Sequence, residues 1–250
     1  MNFNSSVERY VYPFVGGLVL GALAAKLNSG FRSYATTGVG LDKFGITKLN
    51  PDGGAKWFAR WDNGRVRTIK STGTSSVAKD PSDSMLRLLC LAYSKEGNML
   101  TIDGKGEAKL QGKHPRLYIM DGTKKWLNTE MTCYAMLVNP IVEPGSYTTF
   151  RLATRSNHHA ITKCICNGTG YCSEFFLPSK DSRFRKELIH PHYANMPFAS
   201  PVPPLNVWFG QKLVVYTLPN NTVKLQCLID QTDGLNGGDW QPVGEYVDDG

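Results

Sequence analysis

Two pairs of residues combine useful chemistry with strand spacing: Arg151 with Arg155, and Lys212 with Tyr216. Residues four apart on an extended strand leave the same face. The first pair would therefore present two guanidiniums on one surface, and the second an ammonium beside a phenol, with Trp208 just ahead of it. Candidate proton carriers are His158 and His159, in an expected loop, and His190 and His192, which flank Pro191.

Other groups suggest metals or thiols. His190 and His192 have the i, i+2 spacing that would put two imidazoles on one strand face, but the intervening proline breaks that geometry and no acidic or cysteine partner stands at a recognised spacing. Asp230, Asp233, Asn236 and Asp239 stand among glycines and offer hard oxygen ligands to calcium. Their spacing is not that of an EF-hand, and an Asx-rich turn between two strands explains the same residues. No other cofactor is expected. Glu130 is alone in its strand with Lys124 and Lys125 nearby, so hydrolysis by two paired acids is not expected. Of the cysteines, Cys164 or Cys166 could pair with Cys172 across the Asn167-Gly168-Thr169-Gly170 turn, whereas Cys133 and Cys227 fall in apolar strands as buried thiols. Cys90 completes a set of six with no Cys-x-x-Cys among them. Asn4, Asn167 and Asn220 head Asn-x-Ser/Thr triplets, which matter only in an exported chain.

The elements that must position these groups are strands. From about Val39 onward, short runs of Val, Ile, Leu, Tyr, Phe and Thr are separated by turn chemistry such as Asp62-Asn63-Gly64, Asp103-Gly104 and Pro219-Asn220-Asn221. The expected strands are 56–61, 85–93, 99–102, 107–110, 116–119, 129–138, 147–154, 173–177, 185–189, 207–218 and 222–230. In the last, Val223, Leu225, Cys227 and Ile229 alternate with Lys224 and Gln226, the pattern of a half-buried antiparallel strand. Long, evenly patterned strands at 129–138 and 207–218 point to an all-β, antiparallel jelly-roll sandwich over residues 37–250, whose curved sheet could hold an extended ligand. At 250 residues one domain suffices.

The N-terminus differs in kind. Tyr10 to Ala25 is uncharged and largely apolar, bounded by Glu8 and Arg9 and by Lys26. As a helix it would cover about 24 Å, short of a full bilayer core but extendable by Lys26 and the interfacial Tyr10 and Tyr12. Ala22-Leu23-Ala24 also has the form that signal peptidase cuts. Residues 1–36 are thus read as a short hydrophobic helix, transmembrane or signal, with a linker. Retention as an anchor is favoured, because Glu8 offsets Arg9 and leaves a poor signal-peptide start.

Lys and Arg total 28 against 21 Asp and Glu, a formal charge of +7. The excess is dispersed, with no basic stripe interleaved with stacking aromatics, so no nucleic-acid partner is expected. A diffuse positive field suits ordinary solubility and also acidic partners such as uronate or sulfated glycans.

Several segments together resemble concanavalin A-like lectin/glucanase domains, in particular the polysaccharide-lyase-like branch that includes alginate lyases. They are Glu107 to Leu110, His114 to Ile119, Trp126 to Tyr134, Ser156 to His159, Lys186 to Pro191, Trp208 to Tyr216 and Asp230 to Trp240, spanning roughly Gly40 to Val247. The resemblance implies a groove lined by an Arg-rich strand, a Gln-x-His strand and a late strand carrying Lys-x-x-x-Tyr. Arg151 and Arg155 resemble the first, and Lys212 with Tyr216 the last. No Gln-x-His occurs, so His158 and His159, or His190 and His192, would stand in for the base. On this resemblance the arginines would neutralise a uronate, with a histidine and Tyr216 moving protons for β-elimination.

These readings make the chain an expected carbohydrate-interacting β-sandwich held outside a membrane or secreted, with lyase activity on acidic glycans as its sharper form. The alternative is a structural jelly roll, a building block of a virion or cell-envelope assembly formed by many copies.

Overall fold

The computed structural model describes residues 18–21, 57, 59, 61–71, 77–89, 97–112, 115–120, 127–138, 148–156, 168–177, 181–189, 192–201, 205–234 and 238–250. Among them the fold is all-β, with antiparallel strands throughout. In chain order these are β1 (Leu18–Gly21), β2 (Arg67–Ser71), β3 (Val77–Asp80), β4 (Asp83–Leu89), β5 (Asn98–Ile102), β6 (Glu107–Gly112), β7 (Arg116–Ile119) and β8 (Thr129–Leu137). There follow β9 (Thr148–Thr154), β10 (Gly170–Leu177), β11 (Ser182–Ile189), β12 (His192–Phe198), β13 (Phe209–Thr217), β14 (Val223–Asp230) and β15 (Gln241–Asp248). Eight form one sheet in the order β15-β14-β13-β8-β1-β6-β5-β2, four form a second, β12-β11-β10-β9, and three a third, β3-β4-β7.

Period-two patterning puts one face of each sheet into a shared core. Leu100, Ile102, Leu213, Val215, Leu225 and Cys227 of the eight-stranded sheet meet Phe150, Phe175 and Phe184 of the four-stranded sheet and Leu86 and Leu88 of the third. Leu213, Leu225 and Phe175 are fully buried, and burying a side chain of this size stabilises by roughly 1.5–3 kcal/mol. Phe150 meets Phe209 edge to face at 5.2 Å, and Phe198 of β12 tilts over Phe184 at 4.8 Å. Phe198 seats because β15 carries Gly244 opposite it: a Cβ there would stand 2.7 Å from the ring.

Polar links close the sheets together. Arg67 grips the buried carboxylate of Asp80 with Nε at 3.0 Å from both oxygens and Nη2 at 2.6 Å from Oδ2, tying β2 to β3. At the far end of β15, Asp248 accepts from Lys186 Nζ at 2.9 Å and from the Tyr171 hydroxyl, joining the four-stranded sheet to the eight-stranded one. Burial pulls the Asp248 carboxyl upward, but the bonds from Lys186 and Tyr171 outweigh it and hold its pKa below the ordinary value.

The strands β12 and β15 each contain a proline, Pro197 and Pro242, and each ends its sheet. Proline lacks the ladder donor and is confined to such edges. That accounts for their absence from the expected strands.

The apolar N-terminal run differs from the expected helix at the four residues described there. Leu18–Gly21 is a strand paired antiparallel to both β6 and β8, and it satisfies backbone groups on two strands that would otherwise face each other across a strand-wide gap. The rest of Tyr10 to Ala25 lies outside the described residues. No helix among the described residues is long and apolar enough to cross a membrane. The strand expected at 56–61 is not formed at Trp57, Ala59 or Trp61, where the described backbone is irregular.

Candidate functional site

The outer face of the four-stranded sheet carries the densest charge chemistry. Along β10, Ser173 and Phe175 point to the core, so Cys172, Glu174 and Phe176 point away from it. Along β11 the inward Ser182 and Phe184 alternate with the outward Arg183 and Arg185, and on β9 Arg151 stands between the inward Phe150 and Leu152. Antiparallel register then aligns Arg151, Glu174 and Arg183 in one row across the sheet, and Cys172, Arg185 and Asn195 in the next.

Three guanidiniums converge on one carboxylate. Glu174 is wholly buried and pairs with Arg151 Nη2 through Oε1, and with Arg183 Nε at 3.0 Å and Arg185 Nη2 at 3.1 Å through Oε2. The arginine side chains keep 28%, 25% and 12% of their surface in solvent, for Arg151, Arg183 and Arg185, so the cluster is open on its outer side. Arg183 lies over the Phe176 ring at 4.2 Å and Arg185 over Tyr193 at 4.6 Å, while Arg185 Nε donates to Asn195 Oδ1 at 3.3 Å. These supports fix the planar forks, and a fixed fork loses less entropy on meeting a planar anion than a free side chain does.

Burial works against the Arg151 charge, but the carboxylates of Glu174 and Glu187 favour it and hold its pKa above the usual arginine range. Burial pushes the Cys172 thiol up to about 12, with Glu174 adding to the effect. Cys172 is therefore a neutral thiol under the cluster, and it is unpaired. Cys164 and Cys166, the partners expected for it, lie outside the described residues.

Arg155 belongs elsewhere. It follows β9 with φ of 51°, donates from Nε to the Leu127 carbonyl, and from Nη2 reaches Asn128 Oδ1 at 3.2 Å and Thr217 Oγ1 at 3.0 Å. That makes it a staple between β9 and the ends of β8 and β13. Its four-residue spacing from Arg151 does not put the two on one face, because the strand ends at Thr154.

Lys212 and Tyr216 lie on the outer face of the eight-stranded sheet, across the core from Arg151. Gln211 and Leu213 point inward, Gln211 donating to Ser173 Oγ at 2.7 Å, so Lys212 points out, where Nζ sits 2.9 Å from Glu130 and 4.9 Å from the Trp240 ring. Tyr216 packs beside Val214, Leu228 and Trp240. The groove expected from Arg151, Arg155, Lys212 and Tyr216 is thus not assembled. Trp208 is half-buried at the entry to β13. His158, His159 and His190 lie outside the described residues, and His192 is exposed on β12.

The loop read as a calcium candidate is organised by its first aspartate. Asp230 accepts from Thr232 N and Oγ1 at 2.9 and 2.6 Å, Gly234 N at 2.8 Å, Asp239 N at 3.0 Å and the Tyr134 hydroxyl at 2.9 Å. Burial raises its pKa, but these donors prevail and leave it below the ordinary aspartate value. Five donors engage its two oxygens, which makes it the Asx-turn anchor rather than a ligand set. Asn236 lies outside the described residues, and among those described no cluster of three His, Cys, Asp or Glu side chains is arranged for a metal.

The residues that sequence reasoning missed are Glu174, Arg183, Arg185, Glu187, Tyr193 and Asn195. Arg183-Phe184-Arg185 carried the available signal: two cations flanking a large apolar residue at strand period. The chain matches no protein-family model, no curated protein and no solved structure.

Proposed function

We propose that the outer face of the four-stranded sheet binds acidic glycans, and that the antiparallel sheets form a jelly-roll sandwich of the concanavalin A-like kind. The observation that carries the reading is the convergence of Arg151, Arg183 and Arg185 on the single carboxylate of Glu174. Each arginine spends one nitrogen on that contact, so donors remain for a ligand anion. Aromatic rings under Arg183 and Arg185 preorganise the forks, which lowers the ordering cost of binding. Lyase activity is the sharper form of this proposal: β-elimination needs a base beside the bound uronate, and the sequence supplies His158 and His159 shortly after β9. A ligand of this class places the protein outside a cell membrane or in a secreted form, which is part of the proposal.

The test is a panel of neutral and acidic polysaccharides, scored for binding and for ultraviolet absorbance of an unsaturated uronate. Binding is expected for acidic chains alone, and weakening with salt, because partly exposed charges are screened over about 8 Å at physiological ionic strength. R183Q should lose about tenfold in affinity. New absorbance would establish the lyase. Silence across the panel would overturn the glycan reading in favour of a building block of a larger assembly.

A further inference from the structure

The hairpin that joins β13 to β14 carries Asn220-Asn221-Thr222 at its tip, the acceptor triplet of N-linked glycosylation. Strand pairing runs out to Thr217 opposite Val223, and Leu218 N then donates to the Thr222 carbonyl at 2.8 Å. Asn221 N donates back to the Leu218 carbonyl at 2.9 Å, which closes a tight turn over Pro219 and Asn220. Proline suits the second position of such a turn, and Asn221 takes the left-handed φ of 66° that asparagine tolerates and a three-residue hairpin loop requires. Asn220 and Asn221 are exposed. The base of the tip is braced: Thr217 N donates to Asn128 Oδ1 at 3.0 Å, and Thr217 Oγ1 accepts from Arg155 Nη2 at 3.0 Å. Asn4 and Asn167, which head the other two triplets, lie outside the described residues.

Within the tip the two side chains that the triplet specifies are already in contact. Asn220 Oδ1 accepts from Thr222 Oγ1 at 2.8 Å and from Thr222 N at 3.3 Å. A backbone N–H can only donate, so the amide atom facing it is the oxygen, and Nδ2 is turned the other way, toward solvent. We infer that Asn220 is an N-glycosylation site whose co-substrate is an oligosaccharide joined through its anomeric carbon to a lipid diphosphate. In the transfer, Nδ2 forms a bond to the anomeric carbon while the bond from that carbon to the diphosphate oxygen breaks. The electron pair leaves with the lipid diphosphate, and the amide proton passes to a carboxylate of the transferase. The Thr222 hydroxyl on Oδ1 polarises the amide in the direction that eases loss of this proton. The tip leaves one end of the eight-stranded sheet, whereas Arg151, Arg183 and Arg185 stand on the outer face of the four-stranded one, so acceptor and arginine cluster occupy different parts of the surface. The inference rests on the placement of the chain outside a membrane, since the triplet serves as an acceptor in exported proteins.

The experiment incubates the folded full chain with a purified oligosaccharyltransferase and a lipid-diphosphate-linked oligosaccharide, and maps the product by peptide mass spectrometry. N220D, T222V and T222S are treated in parallel, with a thermal melt of each protein. The unaltered chain is expected to carry the glycan on the peptide that contains Asn220. N220D keeps the oxygen that Thr222 bonds but lacks the amide nitrogen, and should carry none there. T222V should lose the modification and T222S should keep it. An Asn220 left bare in the folded chain, with a synthetic peptide of residues 216–224 modified in the same reaction, overturns the inference. So does a T222V chain modified as fully as the unaltered one. If T222V does not fold, the unaltered chain and T222S decide. Failure of the underlying placement looks different: the folded chain accepts the glycan in vitro, but the chain recovered from the cells that make it lies inside the membrane and carries none, which keeps the acceptor and sinks the placement.

Discussion

The two outer faces of the molecule hold similar inventories of charge and aromatic side chains, yet they differ in how the charges are matched. On the eight-stranded sheet, Lys212 meets Glu130 and Lys224 meets Glu245, one acid to one base, and Gln226 further engages Glu245. On the four-stranded sheet, three arginines share Glu174. A matched pair has little left to offer a ligand, whereas an unmatched, preorganised group of donors does. The count of charges on a face is therefore less informative than the ratio of cation to buried anion.

The sharpest way to break this contrast is to remove the shared anion. E174A leaves three guanidiniums around a vacated buried site, and breaking a buried ion pair from one side costs about 3–5 kcal/mol; the partial exposure of the arginines places the expected loss near the lower figure, read by denaturant unfolding. On the opposite face, D230A strands the backbone donors of Gly234 and Asp239 together with the Tyr134 hydroxyl, and should cost about 2–3 kcal/mol with no change in glycan affinity. R185Q should weaken acidic-glycan binding about tenfold and cost about 1–2 kcal/mol of stability, less than E174A because Glu174 keeps its contacts with Arg151 and Arg183. Smallest of all, K212M should leave binding unchanged and stability within about 1 kcal/mol, since its pair with Glu130 is partly exposed. A K212M variant that loses glycan binding would reverse the assignment of faces.

Acid should act on the outer face of the eight-stranded sheet and on the junction between the two sheets at once. The folded-state pKa values of Asp230 and Asp248 lie below the ordinary aspartate value, so each contributes stability that is present above about pH 4 and is lost as pH falls through the folded value. Melting temperature should therefore fall steeply below about pH 4. D248N should flatten that fall at a cost in stability at neutral pH.

The sequence made the antiparallel strands legible where alternation was clean. The strand expected at 116–119 is observed as β7, and those expected at 129–138, 147–154 and 222–230 match β8, β9 and β14 to within a residue at either end. It hid β12 and β15, because Pro197, Pro242 and Gly244 read as breakers when nothing shows that their strands are edges. Within the candidate site Arg151 was legible as a strand-borne cation. Its partners were not, because a cross-strand row is set by register between β9, β10 and β11, and the residues involved are as far apart as 151 and 183. The pairing of Arg151 with Lys212 failed for the same physical reason. Spacing within one strand fixes a face of that strand, but not which side of the molecule the face looks out on.

The edge prolines carry a consequence for association between copies. An open sheet edge offers a row of free donors and acceptors on which another chain can continue the ladder. Pro197 in β12 and Pro242 in β15 each delete a donor from such a row. Two ends of the β-architecture are thereby blunted against runaway stacking, and a protein whose described regular structure is all strand can be kept concentrated without those rims seeding fibrils.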